Sequence, residues 1–348
     1  MEARGPGAIV LFGSGETGPL GREALRWLVA RARTLRSIAV LETPAGFEPN
    51  ADAVARRWTS ALRRQPEARG AEIVQLPLRR RGTLLGTDDP EAAGPLLGAD
   101  LIVLGAGSPS YTVRQLQGSV AWSHAESAHL LGASFFLASA AAIAVGTRAL
   151  PVYEIYKAGE DPHWKEGLRL CDAYGLSLAV VTHWDNRDGG ASLDTSRCYM
   201  GQERFDELLE LLPGDVVVVG IDEHTALAVD PATSSGRVLG RGGVTVIRAG
   251  RAATLAAGET FPLDALGPFS LPSVQMLAPK GVAIRQARSG QQPSALPSDV
   301  AALLASRNEA RAHRDWQAAD RLRRQIEDRG WRIEDAPEGP RVIPLRPR

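Results

Sequence analysis

Along the first two-thirds of the chain, short unbroken apolar runs alternate with longer stretches whose apolar residues recur every three or four positions. Ala8 to Phe12, Ser37 to Leu41, Glu72 to Leu76, Leu101 to Leu104 and Phe135 to Ala138 predict buried strands, and Leu20 to Leu35 and Asn50 to Arg64 predict helices between them. Such alternation requires parallel strands joined by right-handed crossovers. The expected fold class is therefore α/β, a three-layer helix-sheet-helix sandwich with a mostly parallel sheet. Strands resume at Leu178 to Val181 and Asp215 to Ile221. After Glu223 the period falls to two, over Thr225 to Val229, Gly236 to Leu239, Val244 to Arg248 and Ala252 to Leu255, with short glycine-, serine- and proline-bearing turns between them. That pattern predicts an antiparallel meander extending the sheet edge.

The polar, proline-bearing stretch Arg285 to Ser298 reads as a linker. The expected organisation is an α/β domain over 1–283, a linker over 284–298 and a small helical appendage over 299–348. In the appendage Val300, Leu303, Leu304 and Arg307 begin one amphipathic helix, and Trp316, Ala319, Leu322 and Ile326 mark a second. Asp315 suits its N-cap and Gly330 its C′ position, with an extended segment after them. Two helices of about fifteen residues bury little surface alone, so this unit is expected to dock on the main domain or on a partner.

Composition narrows the function classes. With 44% hydrophobic and 23% charged residues and a formal net charge of zero, nothing global points to nucleic acid or an anionic membrane. Only Cys171 and Cys198 are present, without metal-ligand spacing, so neither a disulfide framework nor a structural zinc site is expected, and no cofactor is called for. The N-terminal apolar run is too short for a signal peptide, and no run approaches the length of a membrane span. A cytoplasmic protein is expected, and the arginine-rich, lysine-poor usage suits a GC-rich bacterial genome. No pattern specifies an oligomeric state.

The chemistry concentrates at strand ends. Ser139 falls where the apolar run Leu137-Ala138 passes into Ala140-Ala141-Ala142, and small neighbours are what a strained strand-to-helix turn bearing a nucleophile needs. The bland alternative is a serine capping an alanine-rich helix. His183 ends the later strand, where its ring is available to take the serine proton. Asp185 and Asp188 beside it raise a metal-site reading, but no second histidine stands at ligand spacing. The acid expected to fix the histidine tautomer is Glu223, which follows a strand in Gly220-Ile-Asp222-Glu223-His224-Thr-Ala, with Glu154 as the alternative. Gly105-Ala-Gly107-Ser108 follows a strand, so the Gly107 and Ala140 amides are candidates for an oxyanion hole worth at most ~3 kcal/mol per donor, with a phosphate loop as the competing reading. Arg187, Arg197 and Ser108 are candidate substrate-binding residues, the arginines for a carboxylate.

Together Gly105 to Ser110, Ser139-Ala140, His183 and the Gly220-Ile-Asp-Glu-His-Thr-Ala string resemble, in order and context, the peptidase E and cyanophycinase family of serine peptidases, which share the class I glutamine amidotransferase-like sandwich. The resemblance spans roughly residues 8 to 260. It implies hydrolysis of an aspartyl or related small peptide, with Ser139 as nucleophile, His183 as base and Glu223 at the cyanophycinase-like acid position, Glu154 standing at the peptidase E-like one. The chain differs from that family in carrying Leu137 and Ala141 at the two elbow glycine positions, Trp-Asp-Asn-Arg after His183, and an extra segment around Ser192 to Cys198. From Leu304 to Gly339 the tail resembles the C-terminal end of bacterial cysteinyl-tRNA synthetases, though the chain holds no H-x-G-H or K-M-S-K-S signature, so aminoacylation is not expected. The alternative to a hydrolase is a non-hydrolytic binding protein on the same scaffold, with a tRNA or protein contact through its tail.

Overall fold

The computed structural model describes residues 5–31, 35–272, 298–313, 315–329, 331–336 and 339–344. The expected linker falls, apart from Ser298, outside these residues, as does Gly330. The chain divides into two compact units, Met1–Ala287 and Arg288–Arg348.

In the large unit the elements run β1 (Ile9–Phe12), α1 (Pro19–Val29), β2 (Ser37–Leu41), α2 (Ala51–Arg63), β3 (Glu72–Leu76), α3 (Pro90–Ala93), β4 (Leu101–Leu104), α4 (Pro109–Leu116), α5 (Val120–Leu130), β5 (Ser134–Ala138) and α6 (Ala140–Ala144). There follow β6 (Arg148–Ala149), α7 (Val152–Tyr156), β7 (Lys165–Glu166), β8 (Leu178–Val181), α8 (Gly201–Glu210), β9 (Val217–Ile221), β10 (Thr225–Asp230), β11 (Ser235–Gly240), β12 (Val244–Arg248), β13 (Arg251–Leu255) and β14 (Thr260–Pro262). The fold class is the expected one, mixed α/β with parallel strands at its centre. Strands β1, β5, β4, β2 and β3 are neighbours in that order and all parallel.

Alternation along these strands builds two cores. Val10 and Phe12, Ile38 and Val40, Leu101 and Val103, and Phe136 and Ala138 face α1 and α2 with Leu25, Leu28, Trp58 and Leu62. Their neighbours Ile9, Leu11, Ala39, Leu41, Ile102, Leu104, Phe135 and Leu137 turn to the other side, where α5, α6 and strands β8 and β9 continue a single larger core.

One expectation is corrected. The strands after Glu223 do not form one meander at one edge, because they are shared between two sheets. Strands β10, β11 and β14 extend the first sheet beside β1, giving the order β14-β11-β10-β1-β5-β4-β2-β3. Strands β12 and β13 join a second sheet of order β13-β12-β9-β8-β6-β7. The cause is a pair of crossings. The chain leaves β9 through Asp222-Glu223-His224, with His224 left-handed at φ 52°, and enters the first sheet where the Gly13 amide donates to the Thr225 carbonyl at 2.9 Å. Gly242 and Gly243 then carry it back, their amides tied to Thr225 Oγ1 at 2.9 Å and Asp222 Oδ2 at 2.7 Å.

The small unit holds α9 (Ser298–Ala312), α10 (Trp316–Asp328) and an antiparallel hairpin of β15 (Trp331–Ala336) and β16 (Gly339–Pro344). Asp315 caps α10 by accepting from the Ala318 amide at 2.9 Å. Val300, Ile326 and Ile333 form its own small core, with Leu303 and Leu304 against it. Among the described residues no helix is long and apolar enough to cross a membrane.

Candidate active site

Ser139 stands between β5 and α6 with φ 51° and ψ −112°, a conformation that L-residues reach only under strain. The turn is this sharp because Ala138 and Ala140 to Ala142 are all buried, their methyl groups letting the helix start directly against the strand it leaves. Leu137, at one of the elbow positions usually held by glycine, points into the large core and does not obstruct the turn.

His183 follows β8, also left-handed at φ 51°. Its Nε2 lies 3.0 Å from Ser139 Oγ, and its Nδ1 lies 2.9 Å from Glu223 Oε1. The three groups meet because each sits at a different junction: Ser139 ends a strand of the first sheet, His183 ends one of the second, and Glu223 rides the crossing between them. Trp184 braces this corner. Its amide donates to the Ile221 carbonyl at 3.0 Å, and its ring lies so close to Gly220 that an added Cβ would stand 2.3 Å from Trp184 Cδ2. The glycine of the Gly-Ile-Asp-Glu string is thus required by close approach.

Glu154 does not reach His183. It lies on α7, and its Oε2 is buried with no hydrogen-bond partner among the described residues. Ser108 serves as N-cap of α4, its Oγ accepting from the Tyr111 amide at 3.2 Å. Arg187 is exposed, and Arg197 lies 5.1 Å from the Trp184 ring centroid and donates to Ser196 Oγ at 2.6 Å. None of these four lines the cavity at Ser139.

That cavity, of about 270 Å³, is lined by Ser139, His183, Gly107 and Ala140 on the chemical side and by Ile143, Val152, Tyr153, Tyr156, Lys157, Cys198 and Tyr199 around it. Gly107 has φ 153°, and a Cβ there would stand 1.9 Å from the Pro44 carbonyl oxygen, so only glycine lets the loops after β2 and β4 meet at the cavity floor. Among the described residues neither the Gly107 nor the Ala140 amide donates to a backbone acceptor. The tyrosine wall and Lys157 are not among the residues that strand ends and motifs single out. A signal was present in the run Tyr153, Tyr156, Lys157, whose spacing puts the two rings on one face of a helical turn.

Electrostatics separate the hydroxyl from the thiols. Burial pushes the Cys198 and Cys171 thiols up to about 12, so neither is a thiolate near neutral pH. The Tyr199 phenol donates to Asp188 Oδ2 at 2.7 Å, which raises Tyr199 and lowers Asp188 and keeps the pair as neutral phenol and carboxylate. Burial raises Asp222, opposed by the Gly243 amide. Among the described residues no three His, Cys, Asp or Glu side chains are grouped as a metal site.

With this geometry in place, the resemblances to known proteins divide along the chain. A crystal structure of a peptidase from an acI-B1 Actinobacterium shares the fold of the large unit, with a TM-score of 0.60 and 23% sequence identity, covering 75% of this chain and 98% of that one. At that identity the likeness concerns the fold alone. Residues 294–339 match the cysteinyl-tRNA ligase anticodon binding domain family. Consistently, 48 residues are 51% identical to cysteine–tRNA ligase 1 of Burkholderia lata, a stretch that is 14% of this chain and 10% of the ligase. The chain thus spans about a tenth of the length of that curated relative.

Proposed function

We propose that the chain is a cytoplasmic serine hydrolase of peptidase type. Ser139 attacks a substrate carbonyl while His183 Nε2 takes its proton, and Glu223 holds the imidazole in the tautomer with Nδ1 protonated and stabilises the imidazolium that forms. The Gly107 and Ala140 amides receive the developing oxyanion. His183 then passes the proton to the leaving amine, and a water activated by the same imidazole releases the acyl group. The observation that carries this reading is the continuous array from Ser139 Oγ to His183 Nε2 at 3.0 Å and from His183 Nδ1 to Glu223 Oε1 at 2.9 Å, ending on a serine held at a strained strand-to-helix turn.

The substrate is an aspartyl or related small peptide. A cavity of about 270 Å³ suits a group the size of one residue, and Lys157 on its wall is a cation for a carboxylate. Fluorophosphonate labelling tests the reading without assuming a substrate. The wild-type chain should be labelled and Ser139→Ala should not, whereas equal labelling of both would refute the nucleophile. Glu223→Gln should slow labelling about a hundredfold or more, with Glu154→Gln left near wild type; the reverse result would make Glu154 the acid.

A second reading concerns the tail. Its match to an anticodon binding domain family over residues 294–339 favours a tRNA contact through the small unit, alongside the hydrolase chemistry of the large one. Retardation of a cysteine-tRNA transcript by the full chain, lost when residues 299–348 are removed, would support it. Equal mobility with and without the chain would end it.

A further inference from the structure

Asn186 is 2% exposed, and both ends of its side-chain amide are engaged. Its Oδ1 accepts from the Asp188 backbone amide at 3.1 Å. Because that partner can only donate, the orientation of the amide is fixed, and the NH2 end faces Glu223. There Nδ2 donates to Oε1 at 3.1 Å, the same carboxylate oxygen that meets His183 Nδ1. Glu223 sits on a crossing turn with a side chain still 31% exposed, and the terminal torsion of a glutamate is soft. Without a second donor the carboxylate can swing away from the ring. The main chain adds a further tie, since the Asn186 and Cys198 amides both donate to the His183 carbonyl at 3.2 Å.

The chain of contacts continues outward. Asp188 accepts from the Tyr199 phenol at 2.7 Å, and the Tyr199 ring is part of the cavity wall. Tyr199 closes three successive left-handed residues, Arg197, Cys198 and Tyr199 at φ 54°, 58° and 69°, a backbone that must be held in place by its contacts. We propose that Asn186 is a positioning residue for the Ser139–His183–Glu223 array, and that Asp188 and Tyr199 extend it to the cavity wall, so that the surface a substrate touches and the acid behind the histidine are held by one hydrogen-bonded chain. The inference rests on the serine-hydrolase reading above. It makes the stretch from His183 to Tyr199 a brace for catalysis as well as a wall of the cavity.

The test uses the full chain and a fluorophosphonate probe at varied concentration, which separates the saturating labelling rate from the half-saturating concentration. Asn186→Leu, close in size but without the donor, should lower the saturating rate about tenfold or more and leave half-saturation unchanged. Tyr199→Phe, which keeps the ring, should lower the rate about threefold with an unchanged melting temperature. The double variant should be no slower than Asn186→Leu alone, because both substitutions break one chain. A merely structural asparagine would lower the melting temperature and leave the saturating rate of the folded protein as in wild type. Wild-type rates in Asn186→Leu, or losses that multiply in the double variant, would overturn the inference. Should Asn186→Leu fail to fold, Tyr199→Phe and Asp188→Ala carry the test: each should slow the reaction, and together no more than the slower of the two, whereas wild-type rates in both would overturn it. A wild-type chain that took up no probe would overturn the hydrolase reading and this inference with it.

Discussion

His129, on α5, is 1% exposed. Its Nδ1 faces the Ala133 carbonyl at 3.0 Å, and so carries the proton; its Nε2 accepts from the Tyr174 phenol at 2.7 Å. A second proton would have to displace that phenol donor and charge a ring packed against Phe135 at 5.2 Å between centroids. Burial accordingly holds the imidazole down to about 4, against an ordinary value of 6.5. Between those two pH values the unfolded chain binds a proton at this site that the folded chain refuses. Stability is therefore unaffected by His129 above pH 6.5 and falls as the pH drops through the window. Linkage sets the loss at about 2 kcal/mol by pH 5 and about 3 kcal/mol by pH 4. The measurement is urea unfolding at pH 8 and pH 5, followed by tryptophan fluorescence, on the wild-type chain and on His129→Gln, which cannot titrate there. The wild type should lose about 2 kcal/mol more than the variant between the two pH values. Parallel losses would refute the argument, because they would mean that the buried ring is protonated as readily in the folded chain as in the unfolded one.

Three further predictions concern the site and its frame. Ser139→Gly should abolish fluorophosphonate labelling yet raise stability by about 1 kcal/mol, since glycine tolerates the left-handed turn, and a lower melting temperature would show that the turn is not strained. Gly220→Ala drives a methyl group into the Trp184 ring and should cost ~1–3 kcal/mol while slowing labelling, because Trp184 adjoins His183; an unchanged melting temperature would count against the close approach. A chain ending at Arg285 should fold and label at Ser139 like the full chain, as every member of the array precedes residue 224, and insolubility or lost labelling would make the tail part of the catalytic unit.

The strands of the first sheet were legible because their signal is local. Each is a short, mostly apolar run bounded by polar or small residues, and Ser37–Leu41, Glu72–Leu76 and Leu101–Leu104 stand as the apolar pattern predicts, as does Leu178–Val181 in the second sheet. Helix α5 was not legible. Ala121, Trp122, Ala125, Ala128 and Leu130 are buried together with Ser127 and His129, so the helix is covered on several sides and has no polar face to give it a period. Helices α4 and α8 were missed as well, the first hidden behind the glycine-rich loop that the sequence offers as a site.

Ser139, His183 and Glu223 could be singled out from sequence because each ends an apolar run, and strand ends are where a parallel sheet exposes chemistry. The same local reasoning put weight on Arg187, Arg197 and Ser108, whose side chains turn to solvent, to Trp184 and to a helix cap. The sequence by itself thus determined the strand runs, the small residues a sharp turn needs and Glu223 ahead of Glu154 as the acid. Only the tertiary structure decided which residues wall the cavity and how the later strands are shared between two sheets. The physical reason is that strand pairing and the crossing at Asp222 to His224 join residues far apart in the chain. No local pattern records that the Gly13 loop would meet Thr225, or that Asn186, one more polar residue in a loop, would be buried against Glu223.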